Sequence, residues 1–169
     1  GVIGVFCICP GQWRRHEWGF AKVDFIRRNL VELSRELSGH NIPLKLIQVG
    51  DFEGIPLKLL AAAHEHRCET LFFNQEYEFY ERRRDEAVER LFRGRGLEVR
   101  SYHDQTILPP EQPRTGQGGA YAVFTPYKKK WIQSCQELRI SPRTRIPRQR
   151  PLGIPSDDIP AVIEGFDKR

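Results

Sequence analysis

Several features are absent from this chain of 169 residues. Methionine does not occur, and the chain opens directly on an apolar run, so we expect a piece excised from a longer protein. The mixed polar tail leads us to expect that the parent also continues beyond Arg169. No apolar run approaches the roughly 20 residues that a membrane-spanning helix needs, and the opening run lacks the basic flank of a signal peptide. The sequence therefore predicts neither a membrane anchor nor a secretory leader.

The motifs of several enzyme classes are also absent. No strand is followed by GxGxxG or GxxxxGK[ST], which argues against a dinucleotide fingerprint and a P-loop. GxSxG and HExxH do not occur, so no catalytic arrangement is predicted and the chemistry of the parent is expected outside this stretch. Paired CxxC motifs are missing as well, which favours reduced thiols in a cytoplasmic protein over metal ligands. The four cysteines are Cys7, Cys9, Cys68 and Cys135.

The composition that is present indicates one soluble globular domain, with 39% hydrophobic and 29% charged residues. A net charge of +5 permits an anionic partner without requiring one. After Leu138 prolines recur and arginines come without an intervening acid. We therefore predict a domain over residues 1–137 and an extended Pro/Arg-rich interdomain linker over 138–169. Most of the linker arginines are expected to be solvated.

Strand-like and helix-like segments alternate four times along the chain. Apolar residues from Phe20 to Leu37 recur at steps of three and four, which is typical of an amphipathic helix. Alternation of this kind predicts a Rossmann-like, doubly wound parallel sheet in a three-layer α/β/α fold. Ligands bind such folds at the carboxyl ends of the strands. Strands are predicted at 1–10, at 43–49, from near Cys68 to Asn74 and at 97–102, and helices at 20–37, 55–66 and 78–93.

The loop after the first strand, CPGQWRRHEWGF, lies where such a ligand is expected. Trp13, His16 and Trp18 are its candidate binding residues. The alternative is that both tryptophans cover the edge of the sheet and that His16 hydrogen-bonds to the backbone. These residues alone favour the alternative.

The stretch NQEYEFYERRRDEAVER follows the third strand and mixes acids with aromatic rings. Acids near the amino end of a helix are favoured by the helix dipole, which explains part of the pattern. A carboxylate beside aromatic faces also suits a flat heterocycle, since it accepts hydrogen bonds from an amino group and a neighbouring ring N–H. The acids are Glu76, Glu78 and Glu81, and the aromatic residues are Tyr77, Phe79 and Tyr80.

A late stretch, GGAYAVFTPYKKKW, combines aromatic residues with three lysines. Thr125 is predicted to cap a helix whose first residue is Pro126. Tyr127 and Trp131 then share one face, which we expect to pack on this domain or on another part of the parent. The run Lys128–Lys130 is expected to stay solvated.

Taken together, these motifs resemble the amino-terminal α/β domain of the DNA photolyase/cryptochrome family. The resemblance rests on DxxILPP from Asp104, on Thr115-Gly116 and on YAVFTPYKKKW, with PGQWRRH, IPLKLIQV and NQEYEFYERRRDEAVER upstream in the same order. It covers about Val2 to Cys135 and is closest to class I bacterial cyclobutane-dimer photolyases. The family's opening strand and loop, of the type WFRRDLRLxDN, and the helix after them have no counterpart here. The resemblance thus implies that a central strand is missing.

The resemblance also implies a function. The parent would be a deoxyribodipyrimidine photolyase, a monomer that repairs UV-damaged DNA by electron transfer from reduced FAD in a carboxy-terminal helical domain. This domain would hold an antenna chromophore, 5,10-methenyltetrahydrofolate, with His16 and Glu81 matching the family's histidine and glutamate. Tyr80 stands where the family has asparagine. A deazaflavin or flavin antenna, a cryptochrome photoreceptor, and a nucleic-acid binding module using Arg139–Arg150 and Lys128–Lys130 are the alternatives.

Overall fold

A computed structural model describes residues 1–138 and 146–167. The predicted α/β class is confirmed, because parallel strands alternate with helices along the chain. No helix among the described residues is long and apolar enough to cross a membrane. The strands are β1 (Gly4–Ile8), β2 (Leu44–Gln48), β3 (Thr70–Asn74) and β4 (Glu98–Tyr102). The helices are α1 (Pro10–Arg15), α2 (Phe20–Gly39), α3 (Ile55–Glu65), α4 (Phe79–Arg93) and α5 (Phe124–Glu137), with a 3-10 turn at Phe52–Gly54.

The strands form two parallel pairs. β1 pairs with β2 in the register Gly4↔Leu44 to Ile8↔Gln48. β3 pairs with β4, with Thr70 opposite Glu98. Within the described ranges, no hydrogen-bonded ladder joins β1 to β3. The sheet is therefore in two halves, a feature that the strand alternation did not reveal.

Helix packing follows the apolar periodicity of the sequence. α2 buries Val23 and Leu30, and it approaches β1 so closely that a Cβ on Gly4 would lie 3.2 Å from a methyl carbon of Leu37. α4 buries Val88 and Phe92, the inward residues that its pattern predicts. Burial of each such side chain contributes about 1.5–3 kcal/mol. These buried side chains fix the position of α4 relative to the sheet, and with it the position of its first turn.

Two local predictions were wrong. The stretch after β1, expected to be a loop, begins with the short helix α1, because Pro10 at the first helical position is tolerated where the N–H has no partner. α5 starts at Phe124 with Val123 as its N-cap, and no side chain caps it. Pro126 therefore lies in the first turn, where its missing N–H again costs little, and Thr125 is helical rather than capping.

Residues 148–167, part of the predicted linker, lie against the domain, and we call them the strap. Asp157 donates its backbone N–H to the carbonyl of Leu44 at 2.9 Å. Its carboxylate accepts the N–H of Leu46 at 2.8 Å and pairs with Lys45. Ile163 and Phe166 near its end are buried in the core. The strap thus covers the outer edge of β2.

The arginines of the predicted linker are only partly within the described residues. Arg148 and Arg150 are exposed, and Arg148 donates to the side-chain oxygen of Asn41 at 3.2 Å. Arg139, Arg143 and Arg145 lie outside the described residues. The division into a domain at 1–137 and a linker at 138–169 stays a prediction.

The Asp157 carboxylate is expected to stabilise the fold. Burial opposes its ionisation, but the Leu46 N–H and Lys45 together hold the pKa of Asp157 below its ordinary value. We expect Asp157→Asn to lower the free energy of unfolding by about 1–2 kcal/mol at neutral pH, as measured by urea denaturation. The neighbouring exposed Asp158 provides the matched control, Asp158→Asn, with a change within about 0.5 kcal/mol.

The pH dependence of the Asp157 effect has a defined sign. Because its folded-state pKa is lowered, the carboxylate stabilises the fold above its ordinary pKa and loses this effect as the pH falls through the folded value. The difference between the wild-type chain and Asp157→Asn should therefore shrink under acid. An unchanged difference at low pH, or equal effects of the two variants, would contradict this role.

Candidate functional site

The candidate site lies beyond the carboxyl ends of β1, β2 and β3. α1 packs against the turn after β2 so tightly that a Cβ on Gly11 would lie 2.3 Å from the carbonyl oxygen of Gly50. Glycine is therefore required at position 11, because any side chain would clash with this carbonyl oxygen. The backbone N–H of Gln12 donates to that same carbonyl at 3.1 Å. This contact sets the end of α1 beside the 3-10 turn and the start of α4.

The three residues predicted to bind an antenna meet at this point. Nδ1 of His16, which ends α1, lies 3.7 Å from Oε1 of Glu81 in the first turn of α4. The ring of Tyr80 lies 5.5 Å from the imidazole, measured between centroids. Tyr80 is 54% exposed, so its ring is open to solvent beside the half-buried His16 and the buried Glu81. The structure thus brings His16, Tyr80 and Glu81 into one cluster.

Two further residues of this cluster were missed by the sequence reasoning. Gln12 is 3% exposed, and its side-chain nitrogen lies 2.9 Å from Nε2 of His16. With that nitrogen as donor, Nε2 accepts and Nδ1 carries its proton toward Glu81. Phe52 places its ring edge-on to the imidazole at 6.2 Å. The helical spacing of Gln12 and His16, four residues apart, would have indicated the first contact had α1 been recognised.

Glu81 has an unsatisfied oxygen. The residue is 8% exposed, and among the described residues no hydrogen-bond partner reaches its buried Oε2 atom. A buried acceptor without a donor costs about 1–3 kcal/mol, and more when it is charged. The site therefore suits a ligand that brings an N–H donor to this carboxylate.

A half-buried ion cluster lies beneath the site. Arg84 donates to Glu76 at 2.8 Å and to Asp85 at 2.7 Å, and its guanidinium carbon lies 4.9 Å from the centre of the Phe52 ring. Burial raises the pKa of Asp85 although Arg84 opposes the shift. Arg84 thus packs against the Phe52 ring beside His16. The sequence has three arginines in a row, Arg82–Arg84, and did not show which of them would have this role.

The remaining acids after β3 have other partners. Glu76 pairs with Arg84, and Glu78 accepts the backbone N–H of Tyr77 at 3.1 Å. Both lie outside the His16 cluster. Of the three acids considered in this stretch, Glu81 is the one that the structure places beside His16.

The two tryptophans of the first loop are structural. Trp13 and Trp18 stack with centroids 5.3 Å apart and an interplanar angle of 15°. Trp13 is buried and contacts Phe166 of the strap edge-on, and Lys22 lies over the Trp18 ring. The alternative interpretation, in which the tryptophans have a structural role, therefore applies to Trp13 and Trp18. It does not apply to His16, because its imidazole bonds to the side chain of Gln12 rather than to the backbone.

The thiols have no role in this cluster. All four cysteines are free, and burial raises the pKa of Cys7 to about 11 and that of Cys9 to about 12. Both are therefore protonated and unreactive at neutral pH. Among the described residues no group of histidine, cysteine and acidic side chains is placed to hold a metal ion.

The lysine-rich helix α5 lies apart from the site. None of its side chains is fully buried, although Tyr127 contacts the rings of Tyr121 and Phe124. Lys128 and Lys129 are exposed, as expected, whereas Lys130 is half-buried. Its aromatic face is thus not packed deeply on this domain.

Comparison with known proteins identifies the class to which this fold belongs. A statistical model of the family described as DNA photolyase matches residues 1–149. The crystal structure of a bacterial class III photolyase from Agrobacterium tumefaciens superposes with a TM-score of 0.64 at 23% identity, over 99% of this chain and 32% of the other. The chain belongs to the DNA photolyase family.

Curated relatives carry a more specific name. The deoxyribodipyrimidine photo-lyase of Vibrio cholerae is 33% identical over 131 residues, 78% of this chain and 28% of the relative. That of Salmonella typhimurium is 32% identical over 168 residues, 99% of this chain and 35% of the relative. The chain therefore spans about a third of the length of these relatives.

Arg84 offers a test of the support beneath the site. Removing its charge leaves the half-buried Asp85 carboxylate without its charged partner, so we expect Arg84→Gln to lower the free energy of unfolding by about 1.5–3 kcal/mol. Arg83, exposed and adjacent on α4, provides the control, Arg83→Gln, with a change within about 0.5 kcal/mol. Urea denaturation at neutral pH measures both. Similar values for the two variants would contradict the assignment.

Proposed function

We propose that this chain is the light-harvesting amino-terminal domain of a deoxyribodipyrimidine photolyase. Family membership and the names of the curated relatives support the proposal. The parent enzyme would split cyclobutane pyrimidine dimers in UV-damaged DNA by light-driven electron transfer from reduced FAD. The flavin and the lesion pocket would belong to a carboxy-terminal helical domain, so the present chain alone would be inactive. The parent is proposed to act as a cytoplasmic monomer.

The observation that carries the antenna assignment is the buried Oε2 atom of Glu81, which has no hydrogen-bond partner among the residues that the structure describes. The pterin ring of 5,10-methenyltetrahydrofolate carries an amino group next to a ring nitrogen, and a carboxylate accepts hydrogen bonds from such an edge. His16, held by Gln12, would bound the ring on one side. Bound folate would absorb near-ultraviolet light and pass the excitation to the flavin.

Tyr80 departs from the family pattern, which has asparagine at this position. Its exposed ring beside His16 offers a flat aromatic face, and stacked rings contribute about 0.5–1.5 kcal/mol beyond the burial of area. We infer that Tyr80 replaces a polar contact to the pterin with stacking. A deazaflavin or flavin antenna is the alternative, and the binding experiment must distinguish it from folate.

Folate binding by the chain tests this assignment. Titration with methenyltetrahydrofolate should give a red-shifted near-ultraviolet absorption band and quenched ligand fluorescence. Glu81→Gln replaces a charged acceptor at the pterin edge and should weaken the affinity about 10- to 100-fold, since a hydrogen bond to a charged group contributes about 1.5–3 kcal/mol. Glu86→Gln, at an exposed position of the same helix, should bind like the wild type.

Two outcomes would overturn the folate assignment. One is the absence of binding by the wild-type chain, and the other is equal binding by wild type and Glu81→Gln. Tight binding of a deazaflavin or flavin in place of folate would transfer the antenna role to that chromophore.

Repair and signalling are separated by the activity of the full-length parent. We expect light-dependent loss of cyclobutane dimers from irradiated DNA, with no repair in darkness, measured by restored cleavage at a restriction site that a dimer blocks. Dark controls and a chain limited to residues 1–169 should show none. Light absorption by the flavin without dimer loss would favour a cryptochrome photoreceptor instead.

The basic stretches provide a third function to test, namely nucleic-acid binding by this chain alone. Lys128 and Lys129 are exposed on α5, and Arg148 and Arg150 are exposed on the strap. We infer that the chain binds DNA weakly and that the binding disappears at moderate salt. Tight binding with a steep salt dependence would support the alternative module.

A further inference from the structure

A continuous row of side chains leads away from the candidate site. The imidazole of His16 lies 5.5 Å from the ring of Tyr80, and the ring of Tyr80 lies 5.4 Å from that of Phe79, both measured between centroids. The guanidinium carbon of Arg83 lies 5.8 Å from the centre of the Phe79 ring. We call Phe79 and Arg83 the outer pair. An imidazole, a phenol, a phenyl ring and a guanidinium thus follow one another outward from Glu81.

The outer pair is open to solvent. Phe79 is 67% exposed although it is an aromatic residue in the first turn of α4, and Arg83 is exposed as well. The neighbouring Arg82 and Arg84 both pair with acids. Among the described residues, by contrast, no carboxylate lies within ion-pair distance of the Arg83 guanidinium. A cation held over an aromatic ring is therefore available to a ligand.

The inner end of the row supplies a second, independent observation. The Oε2 atom of Glu81 is buried, and no hydrogen-bond partner reaches it among the described residues. The row therefore begins at a carboxylate oxygen that lacks a donor and ends at a cation that lacks an acid. A ligand that matches the whole row has an N–H edge, then flat rings, and an anionic group at its far end.

The rings along the row are not coplanar. The planes of Tyr80 and Phe79 meet at 82°, and the imidazole of His16 is tilted by 44° against Tyr80. A ligand that packs on both Tyr80 and Phe79 must therefore bend between its own rings. Two ring systems joined by a single bond can bend in this way, whereas the fused tricycle of a flavin or deazaflavin is rigid.

We propose that the outer pair is a second subsite of the antenna site, where Phe79 packs on the benzoyl ring of a folate and Arg83 binds a carboxylate of its glutamate. The inference rests on the proposed function, since it takes the pterin to lie at Glu81 and Tyr80. Arg83 donates its N–H groups to the carboxylate, and Phe79 contributes an aromatic face to the benzoyl ring. The outer pair thereby selects a folate over a pterin without this tail and over a flavin.

A matched pair of ligands tests the role of Arg83. Methenyltetrahydrofolate carries the glutamate, whereas the methylamide of methenyltetrahydropteroate ends in a neutral amide at the same place. We expect Arg83→Gln to weaken binding of the folate about three- to fivefold at low salt, because the carboxylate loses its cation, and to leave binding of the methylamide unchanged. The loss should shrink as salt is added, and Arg83→Lys should retain most of the affinity. Fluorescence titration of the chain measures each affinity.

Two further variants complete the design. Arg90→Gln removes the same charge from an exposed position further along α4, so it should bind both ligands like the wild type. Phe79→Leu keeps an apolar side chain but removes the ring, and it should weaken both ligands about three- to tenfold, since both carry the benzoyl group. Phe79 and Arg83 are exposed, so their variants should keep the urea midpoint of the wild type.

The outcomes separate this subsite from the pterin site. Equal losses of both ligands in Arg83→Gln, or no loss of either, would overturn the subsite, while weaker folate binding by Glu81→Gln would still support the pterin site. If neither ligand binds the wild-type chain, the folate antenna fails and the subsite fails with it. If Arg83→Gln weakens binding of flavin mononucleotide but not of folate, the proposal is overturned in favour of a phosphate at Arg83.

Discussion

The hydrogen-bonding demand of parallel strands is the constraint on which the rest of this structure depends. Each strand has two edges of N–H and C=O groups, and a buried group without a partner is costly. β2 meets the demand on its outer edge through the strap, where Asp157 and Ser156 bond to Leu44 and Leu46. β1 and β3 meet it on one edge each, toward β2 and β4. Among the described residues no ladder joins the other edges of these two strands, which leaves the sheet in two halves.

The same strands position the candidate site, because the polar residues follow their carboxyl ends. Val88 and Phe92 are buried in the core and fix the position of α4. The first turn of this helix therefore holds Glu81 beside His16. Gln12 orients the imidazole from α1. Arg84 steadies Phe52 from below. The result is a buried carboxylate with one free oxygen beside open aromatic surface, an arrangement that can bind a flat heterocycle with an N–H edge.

The sequence predicted local structure better than the assembly of the strands. The periodicity of α2 and α4 placed both helices within two residues of their observed ends, because their apolar faces bury directly against the sheet. α1 was missed, since six residues that begin Pro10-Gly11 carry too little periodicity to indicate a helix. The predicted start of α5 was wrong because Thr125-Pro126 matches the pattern of an N-cap followed by proline, whereas the helix begins one residue before Thr125. The contact of Gln12 with His16 depended on α1 and was missed with it. The division of the sheet depends on contacts between distant segments, so the strand periodicity did not indicate it, and only the family resemblance implied a missing central strand.

The most direct test of the proposed pterin site is a measurement on the carboxylate itself. The side-chain ¹³C resonance of Glu81 and the imidazole ¹⁵N resonances of His16 can be followed by NMR as methenyltetrahydrofolate is added to the chain. The proposed contact predicts saturable shifts of both residues with one common affinity, while the exposed Glu86 carboxylate stays unchanged. Binding of folate that leaves Glu81 and His16 unshifted, or that shifts α5 instead, would contradict it.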